Sequence, residues 1–504
     1  MTNHLFSCIH DRMPAREKIA IETADGKVLT YGDLVDDTGR FANLLARLGV
    51  APGDRVAVQI EKCPQVIVLL LACVRLGAIF LPLNTQYTAS ELDYFLKDAE
   101  PTVIICAPER LEQTATIAAT AGVGVIETMD TTGGGTFANK ARGMAADFED
   151  AACTAGDVAA ILYTSGTTGR PKGAMQTHGS LTSNAITLVD HWQVTSDDVL
   201  LHALPVFHTH GLFTASLTLM MAGGSMLFLP KFDPDQVLAL LPRATVMMGV
   251  PTFYTRLLQH PGLTKVAASH MRLFISGSAP MLSETHQEWR NRTGHSILER
   301  YGMTETGMNT SNPLVGERLA GSVGLPLPGI SVRIVNPENG AALPVGEVGG
   351  IEVRGPNLFK GYWRMPNRTT EDFRVDGYFI TGDLGRSDER GYVYIVGRGK
   401  DLIISGGFNV YPKEVEDAIN ALPGVAESAV IGLPHQDLGE GVTALVVCRA
   451  GAQLSESDIL QAVAGRLARF KQPKRVLLVD DLPRNALGKV RKDMLRASFA
   501  RLYE

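Results

Sequence analysis

The chain has 504 residues, 45% of them hydrophobic and 20% charged, with a net charge of −6. That length exceeds what one core normally organises, so two or more domains are expected, and the mildly acidic balance leaves no electrostatic footprint for nucleic acid. The six cysteines, Cys8, Cys63, Cys73, Cys106, Cys153 and Cys448, fall at no paired or zinc-like spacing, which argues against a structural zinc site and for reduced thiols in a cytoplasmic protein.

The first residues, MTNHLFSCIHDRMPAREK, have no continuous apolar stretch behind a basic start, so no secretory signal is expected. Helical patterns then alternate with short apolar runs, among them DRVAVQI, AEPTVIIC, ATVMMGV and MRLFISGSAP; this is the texture of parallel sheets covered by helices. The Gly/Ala/Thr-rich stretch 131–155 reads as a surface loop. Leu201 to Pro230 carries no Asp, Glu, Lys or Arg. Pro205, three histidines and the Gly223-Gly224 pair nevertheless divide it into a loop, a helix near Leu212–Met221 and a strand near Ser225–Leu229, which is not a membrane span. From about Gly321 strands and turns dominate (ISVRIV, GGIEVRG, GYFITGDLG, GYVYIVGR), giving a small β-rich region. After Gly397-Arg398-Gly399-Lys400 a separate α+β unit is expected. The fold class is therefore α/β: a large N-terminal domain of helix-covered sheets, residues 1–398, and a smaller α+β domain, residues 399–504.

Five segments bear chemistry. YTSGTTGRPKG, Tyr163 to Gly173, follows the apolar run Val158–Leu162 and concentrates glycines, hydroxyls and cations. It is not the P-loop G-x-x-x-x-G-K-[ST]: counting from Gly166, Pro171 takes the place of the second Gly and Gly173 that of the Ser or Thr. What remains is either a flexible turn or a loop of backbone donors, hydroxyls and Lys172 suited to anionic oxygens. The others are SGSAP (Ser276–Pro280), ERYGMTET (Glu299–Thr306), TGDLG (Thr381–Gly385) and LPRNALGKVRK (Leu482–Lys492). Each alone has a bland reading as a turn, a solvated acid or a basic tail.

In this order and at these separations the five segments resemble the adenylate-forming superfamily of acyl-CoA synthetases, adenylation domains and luciferases, from about residue 20 to the C-terminus. The resemblance implies a mobile C-terminal domain, ATP, Mg²⁺ and coenzyme A as cofactor and co-substrates, and two half-reactions, adenylation of a carboxylate and displacement of AMP by a thiol. It implies that Thr164, Ser165, Gly166, Thr167, Thr168, Gly169 and Lys172 hold the departing phosphates. Glu305 would ligate magnesium with Thr164 near the metal, and Thr304 would stand beside the α-phosphate. Asp383 and Arg398 would meet the ribose; Ser278, Ala279, Glu299 and Tyr301 would border the adenine. Lys489 matches the family's mobile catalytic lysine, although its neighbours Arg484, Arg491 and Lys492 also fit a solvated basic face. Lys400 matches the hinge, and ISGGFNVYP places Gly406 and Gly407 along the pantetheine path.

LPVFHTHGLF, GVPTFYTR, SGSAPML, RYGMTETGMNTSNP and GRGKDLIISGGFNVYPKE are closely similar to the malonyl-CoA synthetase branch of that superfamily. This implies that Arg256 and Arg318 hold a distal carboxylate through charge-assisted hydrogen bonds, with His208, Ser276 and Met308 shaping a short pocket. On spacing alone Arg256 also fits an exposed helical arginine. Gly307 stands where relatives carry a bulkier side chain, which leaves room for 2-substituted malonates. The alternative substrate class is short or medium monocarboxylic acids. The expected partners are small molecules, with a lysine acetyltransferase acting on Lys489 as the macromolecular candidate and neither nucleic acid nor membrane.

Overall fold

The architecture follows from where the apolar runs stop. The computed structural model describes residues 3–164, 171–485 and 488–503. Among these the strands form four sheets. The first runs Val125–Thr128, Val103–Cys106, Arg55–Gln59, Ile79–Pro82, Val158–Thr164, all parallel, and closes with the antiparallel Lys172–Thr177. Its strands are buried on both faces because helices such as Pro64–Leu76, apolar nearly all round, cover them.

The second, nine-stranded sheet has six parallel strands at its centre, in the order Leu298–Met303, Leu273–Ser276, Val246–Gly249, Val199–His202, Ser225–Phe228 and Ile19–Thr23, with antiparallel strands at both edges. In such sheets ligands bind beyond the carboxyl ends of the strands. Four neighbouring ends, His202, Gly249, Ser276 and Met303, stand side by side here. The β-rich region is a four-stranded antiparallel sheet, Ser331–Val335, Gly349–Arg354, Phe379–Ser387 and Val393–Arg398. A 3-10 turn, Gly399–Asp401, leads from its last strand into a five-stranded sheet with its own apolar core around Val430, Val442 and Ile459.

The α/β class expected from the sequence is the one observed. The charge-free segment Leu201–Pro230 is cut as expected, into a π-helix His210–Leu217, a helix Thr218–Ala222 and a strand Ser225–Phe228. No helix among the described residues is long and apolar enough to cross a membrane. The stretch 131–155 departs from expectation. It contains a helix, Thr136–Ala141, whose Phe137 is fully buried edge-on against Phe41 at 5.1 Å; one aromatic side chain is enough to draw a glycine-rich segment into the core.

Candidate active site

The four adjacent strand ends define one cleft. Behind Val199–His202 come His208 and the buried His210; behind Val246–Gly249 the helix Pro251–Gln259 starts with proline at its first turn and carries Arg256. Behind Leu273–Ser276 the chain makes the Ser276–Ala279 turn, and Leu298–Met303 runs into Thr304 and Glu305. Burial makes both histidines poor bases: the His208 pKa falls to about 4, and that of His210 falls well below the usual range, first from burial and then from the nearby Arg300 cation. His210 Nδ1 lies 3.1 Å from Ser278 Oγ.

Arg300 is the side chain that sequence reasoning passed over. It is 3% exposed, and its Nε and Nη2 have no hydrogen-bond partner among the described residues. A Cβ on Gly277 would sit 2.5 Å from its Nη1, so glycine is required there for the guanidinium to lie against the turn. Burial brings the Arg300 pKa down to about 9. His210 Nε2 and Ser276 Oγ are also buried and unpartnered. A buried cation surrounded by idle polar atoms is costly unless an anion completes it. The available signal was an arginine inside the otherwise buried strand LERYGM, where alternation sends it to the face opposite Glu299 and Tyr301.

The expected ribose and adenine residues sit on the neighbouring wall. Asp383 pairs across the antiparallel ladder with Arg398, whose Nε lies 2.7 Å from Oδ1, and Tyr301 donates to its Oδ2 at 2.5 Å. A carboxylate has about four acceptor sites, so two such contacts leave lone pairs for further hydroxyls. Glu299 is buried, accepts from the Gly321 amide and faces His286 at 3.2 Å; burial raises its pKa. Ser278 and Ala279 are half-buried at the cleft edge.

Glu305 is 6% exposed with no ion-pair partner among the described residues. Tyr362 donates to its Oε1 at 3.2 Å and the Thr164 hydroxyl lies 3.4 Å from the same atom. Burial raises the Glu305 pKa, opposed first by a hydrogen bond from its own backbone N–H and then by the Arg398 and Lys172 cations. A buried carboxylate met by two hydroxyls and a backbone N–H, with no cation paired to it among the described residues, suits a hard divalent cation that retains other oxygen ligands, so the residues present fit magnesium. Lys172 pairs in register with Thr164 at the mouth of the loop, packs over the Tyr362 ring at 4.1 Å and reaches Asp372 at 3.4 Å. Ser165, Gly166, Thr167, Thr168 and Gly169 lie outside the described residues. The Thr304 carbonyl is held by Gln176 at 2.5 Å.

Lys489 comes to this cleft from the C-terminal sheet. Residues Arg484 and Val490 form an antiparallel bridge, and Gly488, with φ +72°, packs so close to Thr252 that a Cβ would lie 2.9 Å from its Oγ1. Lys489 is exposed as a residue, yet its ammonium is crowded by protein, and its pKa is lowered by that desolvation and then by Arg398, against attraction to Asp383 and Asp401. Its basic neighbours are committed: Arg484 to Glu427, Arg491 to Asp493 and Lys492 to Glu416. Lys489 has no ion-pair partner of this kind among the described residues. Lys400 is exposed in the Gly399–Asp401 turn. Gly406 and Gly407, at φ +60° and +82°, form the exposed turn between strands Ile403–Ser405 and Phe408–Val410.

The two arginines expected at a distal carboxylate separate. Arg256 is exposed and unpartnered among the described residues, one helical turn beyond Thr252 and hence on the face that meets the Lys489 hairpin. Arg318 is engaged with the chain itself: its guanidinium donates to the carbonyls of Ser296 at 2.6 Å, Leu314 at 3.0 Å and Pro313 at 3.2 Å. It pins a loop and has little donor capacity left for a ligand. Met308 is buried, with its backbone N–H and carbonyl both bonded to the Asn184 amide at 3.0 Å. Gly307 has φ +57°, and a Cβ there would lie 2.7 Å from Asn184 Oδ1, so a larger residue needs Asn184 to move.

Comparisons with known proteins agree on one family. Residues 11–363 match the family model described as AMP-binding enzyme, and residues 414–489 match the AMP-binding enzyme C-terminal domain. A malonate–CoA ligase of Arabidopsis thaliana is 35% identical over 99% of this chain and 91% of its own length. A feruloyl-CoA synthase of Amycolatopsis is 38% identical over 94% of each. The crystal structure of ATP-bound MatB from Rhodopseudomonas palustris is 58% identical over 100% of both chains with a TM-score of 0.98, against 0.86 for the same protein without ligand. The chain belongs to the AMP-binding enzyme family of adenylate-forming ligases.

Proposed function

We propose that the chain ligates malonate, and methylmalonate with it, to coenzyme A at the expense of ATP, releasing AMP and pyrophosphate. The observation that carries the substrate is Arg300, a buried guanidinium with idle donors beside the cleft. Malonate brings a second carboxylate to complete it, which no monocarboxylic acid does. Similarity to a malonate–CoA ligase and to MatB supports the same reading. The feruloyl-CoA synthase relative is the runner-up in substrate class, but burying an aryl group against an unpaired cation would leave its charge uncompensated.

In this reading Arg300 and Arg256 hold the distal carboxylate, with His208, Ser276 and Met308 closing the pocket around the short chain. Arg318 is left out because each of its three nitrogens already donates to a loop carbonyl. Ser278, Ala279, Glu299 and Tyr301 border the adenine, and Asp383 and Arg398 hold the ribose. Thr164 to Gly169 and Lys172 grip the terminal phosphates. The reacting carboxylate oxygen attacks the α-phosphorus in line, the bond to the β-phosphate oxygen breaks, and pyrophosphate leaves. Lys489 neutralises the charge that grows between carboxylate and α-phosphate, with Thr304 beside them. Glu305 and Thr164 would hold magnesium, which when bound would supply further charge neutralisation at the phosphates. In the second half-reaction the CoA sulfur attacks the acyl carbonyl, loses its proton and expels AMP. Residues 399–504 turn about Lys400 between the steps, exchanging Lys489 for the Gly406-Gly407 turn as the wall of the thiol path. The division into 1–398 and 399–504, a cytoplasmic location and a lysine acetyltransferase that neutralises Lys489 belong to this proposal.

The test is pyrophosphate release with malonate, methylmalonate, acetate, butyrate and benzoate. Malonate and methylmalonate are expected to lead by at least tenfold in kcat/KM, with AMP as the nucleotide product. ADP and phosphate, or a preference for butyrate or benzoate, overturns the reading.

The raised Glu305 pKa adds a pH prediction. Its carboxyl must be ionised to hold magnesium, so binding lowers a pKa that burial had raised. Mg²⁺·ATP affinity is therefore full above the raised value and falls as pH drops through it. Titration calorimetry in two buffers of different ionisation enthalpy should show proton release in that window, and Glu305→Gln should abolish it. Proton release that is unchanged in Glu305→Gln would assign the titration to another group.

A further inference from the structure

We propose that the helix Ala89–Ala99, which lies outside the five site segments, positions Lys172 for the terminal phosphates through Tyr94 and Asp98. The inference rests on the assignment of Lys172 made above. A lysine side chain is long and rich in rotamers, so its ammonium is aimed only where neighbours confine it. Lys172 is buried, begins the strand Lys172–Thr177 and lies with its Nζ 4.1 Å over the Tyr362 ring. Tyr94 donates its hydroxyl at 2.9 Å to the carbonyl of Pro171, the residue before it. Tyr163 donates to the Asp98 carboxylate, and in the strand ladder Tyr163 is the partner of Gly173, the residue after it. The Asp98 backbone carbonyl accepts from Nε1 of Trp363, next to Tyr362, at 3.0 Å, and the Trp363 N–H donates to the Gly173 carbonyl at 2.7 Å. One helix thus fastens the chain before Lys172, the chain after it and the segment carrying the ring beneath its ammonium.

Core packing alone does not call for these polar groups. The helix buries Leu92, Phe95, Leu96 and Ala99 in the apolar cluster of the first sheet, and that stripe is enough to hold it in place. Tyr94 and Asp98, four residues apart and so on one face, are half-buried and direct polar atoms at the strand pair that carries Lys172. Burial and then the Asp98 carboxylate push the Tyr163 pKa well up, so the phenol keeps the proton it donates. The far end of the helix is tied as well. Glu100 ends it at φ +46° and meets Arg364, itself at φ +55°, through two contacts of 3.0 and 2.5 Å. Left-handed residues other than glycine persist where their surroundings hold them. Tyr362, in this same fastened segment, donates to Glu305, so the lysine and the buried carboxylate are set in one frame.

The experiment is calorimetric titration of the folded proteins, with no acid present, by Mg²⁺·ATP and separately by AMP, which lacks the terminal phosphates. Tyr94→Phe keeps the ring and removes the hydroxyl; Asp98→Ala removes the acceptor of Tyr163, and Asp98→Asn retains one. Tyr94→Phe and Asp98→Ala are each expected to weaken Mg²⁺·ATP by about three- to tenfold, the effect of one hydrogen bond, with AMP affinity within about twofold of the unaltered enzyme. Asp98→Asn should bind both nucleotides within about twofold of it. A helix that only completes the core would, when altered, weaken both nucleotides together or neither, and either result overturns the proposal. Tyr94→Phe decides by itself should Asp98→Ala not fold. Lys172→Met, titrated alongside, keeps the two readings apart. ATP affinity lost there and kept in the helix variants removes the positioning role alone, whereas ATP affinity kept in Lys172→Met removes the phosphate assignment and the positioning role with it.

Discussion

Lys489→Ala is expected to lower malonate-dependent pyrophosphate release by about two to three orders of magnitude, the usual loss when one aimed charge is removed from a transition state. Conversion of supplied malonyl-adenylate and CoA to malonyl-CoA should stay within a few-fold of the unaltered rate. Lys489 is the one lysine or arginine between Arg484 and Lys492 with no acid paired to it among the described residues, and it stands by Asp383 and Arg398. Thioester formation needs the same carbonyl opened to a thiol, which requires the hairpin carrying Lys489 to leave. The substitution therefore acts on one half-reaction. Lys400→Pro should act on the other, because fixing φ in the Gly399–Asp401 turn restrains the rotation while leaving the closed site assembled. Lys489→Gln, which mimics acetylation by removing the charge, should behave as the alanine variant does. The measurement is a pair of assays on each folded variant, pyrophosphate exchange with malonate and CoA consumption with synthetic adenylate. Equal loss of both activities in Lys489→Ala would remove the two-state assignment.

The strands and the site loops were legible because their signals are local. Val103–Cys106, Val246–Gly249 and Leu273–Ser276 are short apolar runs ending in turn residues, and each became a buried parallel strand. Asp383 and Glu305 were singled out by the motifs around them, and both are buried, with Arg398 acting on each. What was not legible depends on distant partners. Arg318 looked available until the carbonyls of Ser296, Pro313 and Leu314 folded around its guanidinium. Arg484 and Lys492 resembled Lys489 until Glu427 and Glu416, 57 and 76 residues away, claimed them. Arg300 was hidden because it lies inside a motif whose flanking residues, Glu299 and Tyr301, attract the attention. Its place inside a buried strand was the one sequence signal, and its lack of a carboxylate partner among the described residues is a three-dimensional fact. Phe137 disappeared in the same way among glycines and threonines.

Arg300→Met is expected to make the protein harder to unfold and nearly unable to use malonate. Without ligand, the guanidinium is buried with two idle nitrogens, and its lowered pKa records that the charge is unfavourable there. Methionine has similar length, fills the space and removes the charge, the kind of exchange that is often neutral or stabilising at buried ionic sites. A rise in Tm of about 1–4 °C follows from a gain of that size in a chain of this length. Malonate, however, would then bring its distal carboxylate into a site with no buried cation. The uncompensated charge costs about 3–5 kcal/mol, roughly a hundred- to several-thousand-fold in kcat/KM. Acetate carries no distal carboxylate, so its turnover, however slow, should be spared or improved. Arg256→Ala gives the contrast: that side chain is exposed, so its loss should leave Tm unchanged within about 1 °C and weaken malonate use less than Arg300→Met does. The measurements are thermal unfolding of the free proteins and kcat/KM for malonate and acetate on each. A variant that loses both acids equally, or unfolds at lower temperature than the unaltered chain, would make Arg300 a structural residue and leave the distal carboxylate without its principal anchor.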